Sequence, residues 1–215
     1  ALILGSLLFV VLAPFNFQYY TWVGFVPLFL FQLFYKDDFK RVFRFNSLFI
    51  IMFVILYAHD LIQVKLIMFI LAFVYVTGTF LIELMSSYYL IRKDKLYLVP
   101  FVFVIVDRVG VYIGGVSSIG YFVTTFKPIL QLSSLTGVTG LTFIVISVNL
   151  SLAYLIYDYF KKKQVNYRTI MTISLLLLLV LTYGYYHIDS LPTENTYTVG
   201  MIQPAYSAEE KGDYE

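Results

Sequence analysis

Apolar runs long enough to cross a bilayer recur along this chain, and nothing else in the sequence restricts its fold so strongly. A crossing helix needs about 20 mostly apolar residues. Seven runs can be read, at 1–13, 20–35, 45–58, 66–91, 96–115, 135–160 and 169–187. The first reads as the remnant of a helix whose start is missing, because the chain opens at Ala1 rather than Met. The run at 45–58 is the shortest of the others.

Charged residues make up only 13% of the chain, against about 25% in a soluble domain. Mean hydropathy is +0.82. That leaves too little polar surface to cover a water-facing particle, so the solvent for most of the chain is lipid. There is no cysteine, which excludes a disulfide and a thiol nucleophile within these residues. No internal repeat is visible, which argues against a transporter built from two repeated halves. The expected fold is an all-α polytopic membrane bundle of about seven transmembrane helices over residues 1–187.

The placement of charge orients the bundle. Lys and Arg accumulate in short cytoplasmic loops. The loop after the second run holds Lys36, Lys40, Arg41 and Arg44; the loop after the fourth holds Arg92, Lys93 and Lys95. The loop after the sixth holds Lys161, Lys162, Lys163 and Arg168. The opposite loops hold only Lys65 and Lys127. This alternation places the N-terminus in the cytoplasm and the C-terminal tail outside.

The tail differs in kind. Residues 188–195 read as a linker containing Pro192. "YTVGMIQ", ending at Gln203, alternates and is rich in β-formers, so it reads as a strand. A lone strand is not stable, so 196–215 is expected to open a further α+β domain that continues beyond Glu215.

Three stretches carry a family likeness. "APFNFQYYTWVGFVPLFLF" (13–31) has an Ala-Pro-Phe turn followed by Trp-Val and Val-Pro-Leu. "GYFVTTFKPILQLSSLTGVTGLTFIVISVNLSLAYLI" (120–156) has Gly-Tyr, Pro-Ile-Leu-Gln-Leu, then Gly-Val-Thr-Gly-Leu-Thr-Phe and an apolar run with Asn. "TVGMIQPAYSAEEKGDYE" (198–215) is similar to the opening of a nitrilase-like, carbon-nitrogen-hydrolase type domain. Together and in this order they resemble the apolipoprotein N-acyltransferases.

The resemblance implies transfer of an acyl chain from a membrane phospholipid to the α-amino group of a lipoprotein's N-terminal diacylglyceryl-cysteine. The route is a thioester on a cysteine, with a glutamate as general base and a lysine at the oxyanion. It implies the bacterial inner membrane, with phospholipid and apolipoprotein as partners and no cofactor. None of those three catalytic residues is expected here; Glu209, Glu210 and Lys211 read as solvated loop charge. The sequence departs from the family in having Gly212 after Lys211, where a Trp is usual. A polytopic transporter and a non-catalytic anchor for another nitrilase-like enzyme are the alternatives.

Three ionisable residues fall inside runs: Glu83, Asp107 and Arg108. Such residues face protein or water and find partners. Helical rise puts Asp107 roughly 18 Å from Lys95, and Glu83 roughly 13 Å from Arg92. They read as a polar floor beneath the active site, as a lipid-headgroup contact, or as a structural ion pair, with Arg108 reaching toward Glu83 and holding the fourth and fifth spans together. Gly120, Tyr121 and Lys127 form a candidate loop where substrate enters. The His, Asp and Glu spacing gives no metal site. The basic loops match anionic lipid and need no nucleic acid.

Overall fold

The computed structural model describes residues 19–58, 66–112, 118–123, 125–163 and 165–189. The first run (1–13), most of the linker and the tail strand lie outside the described residues. The described residues form helices and turns, with no strand among them.

Five longer helices and one short one build the bundle. They are α1 (Val26–Phe34), α2 (Phe39–Ala58), α3 (Leu66–Arg92), α4 (Val99–Tyr112), α7 (Val138–Lys162) and α8 (Tyr167–Asp189), with the single-turn helices α5 (Lys127–Leu130) and α6 (Ser133–Thr136) before α7. By length and composition three are apolar enough to cross a membrane, over Phe69–Arg92, Val138–Lys161 and Tyr167–Ile188. Within those spans 44% of α7 is buried, against 17% of α3 and 11% of α8. So α7 is the interior helix, and α3 and α8 lie on the outside. Leu66, Ile67, Ile70, Leu71 and Val74 are exposed on α3; Met171, Leu175, Leu178 and Leu179 are exposed on α8. Apolar faces of that extent are stable against hydrocarbon and not against water. The chain is an integral membrane protein.

The run at 20–35 is not one helix. Pro27 has no N–H, and in a continuous helix its ring would collide with the carbonyl four residues back, that of Val23. The Val23 carbonyl accepts the N–H of Val26 instead, at 3.1 Å, and residues 21–25 are turns. Helix α1 starts after the break, with Pro27 in its first turn. Its nine residues extend only about 13 Å.

The break is held open by one side chain. In an unbroken helix the Phe25 N–H would donate to the carbonyl of Thr21. Here the Asn149 carboxamide lies between them. Its Oδ1 accepts from the Phe25 N–H at 2.9 Å, and its Nδ2 donates to the Thr21 carbonyl at 2.9 Å and to the Val145 carbonyl at 2.9 Å. Asn149 is fully buried. An inserted side chain is one of the few causes of a sharp helix break.

Other boundaries also move for local reasons. Helix α2 begins six residues before the apolar run does, because Asp38 caps it. Asp38 Oδ1 accepts the Arg41 N–H at 3.0 Å and its other oxygen pairs with Arg41 at 3.5 Å. A side-chain oxygen on a first-turn N–H is a standard N-cap. Lys40, Arg41 and Arg44 are therefore on a helix rather than in a loop. Helix α7 starts at Val138 because Gly137 has φ 68° and ψ −174°, a region open essentially only to glycine. Helix α8 continues to Asp189 and takes in the first two residues of the expected linker.

Around α7 the core closes. Leu141, Ile144, Val145, Ile146, Leu150 and Ala153 are buried on it. Phe25 and Phe29 meet Phe103 of α4 edge to face, at 6.3 and 6.2 Å between centroids. At one end the loops after α1 and α3 join: Lys36 pairs with Asp94 at 3.7 Å, and the Tyr88 hydroxyl donates to the Lys36 carbonyl at 2.9 Å. Near the other end α8 rides directly on α5. A side chain at Gly184 would collide with the carbonyl of Pro128, and Ser134 and Tyr183 hydroxyls meet at 2.9 Å.

Asn149→Leu is expected to destabilise the protein by about 1–3 kcal/mol for each backbone group left unpaired. Equilibrium unfolding in detergent measures this. A loss under 0.5 kcal/mol, taken here as roughly the noise for a substitution without mechanism, contradicts the role assigned to the amide.

Candidate functional site: a buried polar seam

Two of the three buried carboxylates among the described residues meet at one place, where α3, α4, the turn at Ile119–Val123 and α7 come together; the third, Asp158, lies elsewhere on α7. Glu83 on α3 is 3% exposed and Asp107 on α4 is 7% exposed. Asp107 is held by hydroxyls. Ser118 Oγ donates to its Oδ2 at 2.7 Å and Thr142 Oγ1 donates to the same oxygen at 2.6 Å. The two hydroxyl oxygens are 2.9 Å apart. The Gly120 N–H points into this group, 3.0 Å from Thr142 Oγ1 and 3.3 Å from Ser118 Oγ. One carboxylate oxygen thus ties α4 to α7 and to the turn between them in sequence.

Glu83 comes to the same place from α3. It shares with Asp107, Ser118 and Thr79 a cavity of about 20 Å³, lined elsewhere by apolar residues such as Phe53 and Phe80. The Glu83 backbone carbonyl accepts from Ser87 Oγ at 2.7 Å. Its carboxylate has no hydrogen-bond partner among the described residues.

Arg108 does not reach the cavity that Glu83 and Asp107 share. Successive helical residues are about 100° apart, so turning Asp107 toward α7 turns Arg108 elsewhere. Arg108 is exposed and does not line the cavity.

The expected entrance residues separate. Gly120 is buried in the seam, and its backbone rests on Val138 so closely that a side chain would strike the Val138 carbonyl. Tyr121 and Lys127 are exposed. Neither lines the apolar groove beside them, a space of about 420 Å³ bordered by Tyr19, Trp22, Phe126, Ile129, Leu177 and Leu181. Ser118, Thr142 and Thr79 were not expected from the sequence. Hydroxyls are common in apolar runs, and only the fold shows that these converge on a carboxylate. Thr142 does lie in "GVTGLTF", one of the stretches that carried the likeness.

A lipid-facing helical bundle with an internal polar seam is a membrane module. Residues 4–151 match the family described as the apolipoprotein N-acyltransferase N-terminal domain. The match covers more than half of the chain, and the chain belongs to this family. Over 99 residues it is 33% identical to the apolipoprotein N-acyltransferase of Rickettsia prowazekii (strain Madrid E). That alignment covers 45% of this chain and 19% of the relative's length. No solved structure matches.

Thr142→Val keeps the shape and removes one donor to Asp107. It is expected to cost about 1.5–3 kcal/mol, the range for hydrogen bonds to charged groups, whereas Thr142→Ser retains the hydroxyl and most of the stability. Gly120→Ala is expected to cost about 1–3 kcal/mol through overpacking against Val138. Thermal unfolding of the purified variants tests all three.

Proposed function

We propose that this chain is the membrane module of an apolipoprotein N-acyltransferase of the bacterial inner membrane. The observation that carries this is the family match over residues 4–151. In this reading residues 1–187 cross the membrane about seven times from a cytoplasmic N-terminus. Residues 188–195 link them to an extracytoplasmic nitrilase-like domain that begins at 196–215. Support for the orientation comes from the three basic loops. Lys36 of the first pairs with Asp94 of the second. Asn166 and Arg168 of the third border the same groove as Leu96 and Tyr97, just past the second.

The reaction moves an acyl group from phospholipid to a cysteine thiolate, releasing lysophospholipid. The α-amine of the diacylglyceryl-cysteine of an apolipoprotein then attacks the thioester, forming the amide and restoring the thiol. A neighbouring base makes the thiolate, and fixed donors hold the tetrahedral oxyanion. The bundle has no thiol to offer. Its part is to keep the reacting groups at the membrane surface, where both lipid-anchored substrates reside. The groove at Trp22 and Leu181 has the size and apolar lining to guide an acyl chain.

A transporter remains the second reading, because broken helices and buried charge mark transport sites, and the break at 21–25 and the Glu83–Asp107 pair are such features.

The test is to express the complete reading frame in a bacterium depleted of its own N-acyltransferase, then weigh lipoprotein N-termini by mass spectrometry. The expected result is a third acyl chain, lost when the cysteine nucleophile of the nitrilase-like domain becomes Ala. Residues 1–215 expressed alone are expected to add none. Diacyl lipoproteins only, from a well-expressed complete protein, would sink the reading.

A further inference from the structure

The cavity between Glu83 and Asp107 has only oxygen at the ends of its polar lining side chains. Its polar wall consists of the two carboxylates, Ser118 Oγ and Thr79 Oγ1. Each wall hydroxyl has its one proton directed elsewhere. Ser118 donates to Asp107 Oδ2, and Thr79 donates to the carbonyl of Val76 at 3.0 Å or Tyr75 at 3.2 Å. The Gly120 N–H points at the Ser118 and Thr142 oxygens. Neither wall hydroxyl has a proton left to donate into the space.

Glu83 makes this arrangement costly. It is nine-tenths buried, faces the cavity, and its carboxylate has no partner among the described residues. A buried carboxylate without a compensating charge is strongly unfavourable. The other groups around the pair do not supply one. Tyr75 on α3, whose hydroxyl packs against Gly110 of α4, is close enough to feel both carboxylates but is neutral or negative. Phe53 from α2 and Phe122 from the turn are apolar, Thr142 from α7 is a hydroxyl, and Arg108 does not line the space.

The size of the space restricts what can enter. About 20 Å³ holds one water-sized particle, since a single probe sphere needs about 10–15 Å³. No third carboxylate, imidazole or thiolate joins the pair among the described residues, so the oxygen set is too small for a multidentate divalent site and suits a small, weakly held cation.

We propose that this cavity binds one small monovalent cation, a sodium ion or a hydrated proton, between the carboxylates of Glu83 and Asp107, with Ser118 Oγ and Thr79 Oγ1 completing its oxygen shell. The ion offsets one of the pair's two negative charges inside the membrane and clamps α3 against α4 and the turn at Ile119–Val123. Because a ligand that binds the folded state alone stabilises it by mass action, occupancy is read as stability.

The experiment is thermal unfolding of the full chain, purified in detergent, in sodium chloride and in choline chloride at equal ionic strength and pH 8. A midpoint higher by about 2–4 °C in sodium is expected, the shift that about 1 kcal/mol gives a chain of this length. If the occupant is instead a hydrated proton, the midpoint in choline rises as pH falls from 8 to 6. A proton taken up on folding makes stability fall as pH rises. In either case Glu83→Gln is expected to abolish the dependence. Should Glu83→Gln fail to fold, Thr79→Val keeps both carboxylates and removes one wall oxygen. It is expected to raise the half-saturating cation concentration several-fold. A wild-type midpoint indifferent to both sodium and pH overturns the proposal, as does full dependence surviving in Glu83→Gln or an unchanged half-saturating concentration in Thr79→Val.

Discussion

A single carboxamide, that of Asn149, decides how the first half of the bundle meets the second. Hydrocarbon has no water to satisfy a broken helix, so freed backbone groups must be paired by protein. Asn149 supplies one acceptor and one donor at the correct separation, to Phe25 and Thr21. That lets α1 leave the line of the residues before it and pack along α7. Phe25 and Phe29 then reach Phe103, which brings α4 against the same helix. The position of Asp107 relative to Thr142, and so the seam itself, follows from that docking.

The seam solves the same problem for charge. Asp107 is surrounded by hydroxyls rather than by an arginine. A hydroxyl donates one hydrogen bond at little desolvation cost, whereas bringing a guanidinium inside adds a second charge to be removed from water. Two hydroxyls on one oxygen also define position more narrowly than an ion pair between long side chains. The network is short, and every donor in it has an acceptor. Glu83 lies outside that network and faces the cavity.

Long apolar runs made α3 and α8 legible in the sequence almost to the residue, since lipid-facing helices need only length and hydrophobicity. The runs at 20–35 and 45–58 were less so. Pro27 was visible as a residue that breaks a helix, but Asn149 lies more than 120 positions away and marks the break only once the chain is folded. Asp38 was a capping residue in plain view beside a basic segment read as loop. In the site, Glu83 and Asp107 stood out because charge is rare in an apolar run. Their shared cavity did not, because it depends on the rotation of two helices about their axes. The same rotation turned Arg108 away. Ser118 and Thr142 carry no signal of their own in a chain rich in hydroxyls. The residues beyond 189, where the strand and outer domain were read, are a matter of sequence and family likeness alone.

The contact between Gly184 and the Pro128 carbonyl gives α8 a fulcrum. With backbone resting on backbone, there is no flexible side chain to absorb movement. Leu181 and Leu177 lie one and two turns before that point and form one wall of the apolar groove; Ile129, next to Pro128, belongs to the opposite wall. A tilt of α8 about the fulcrum therefore converts directly into groove width. Since α8 is the last described helix, a force on its C-terminal end has a lever on that groove.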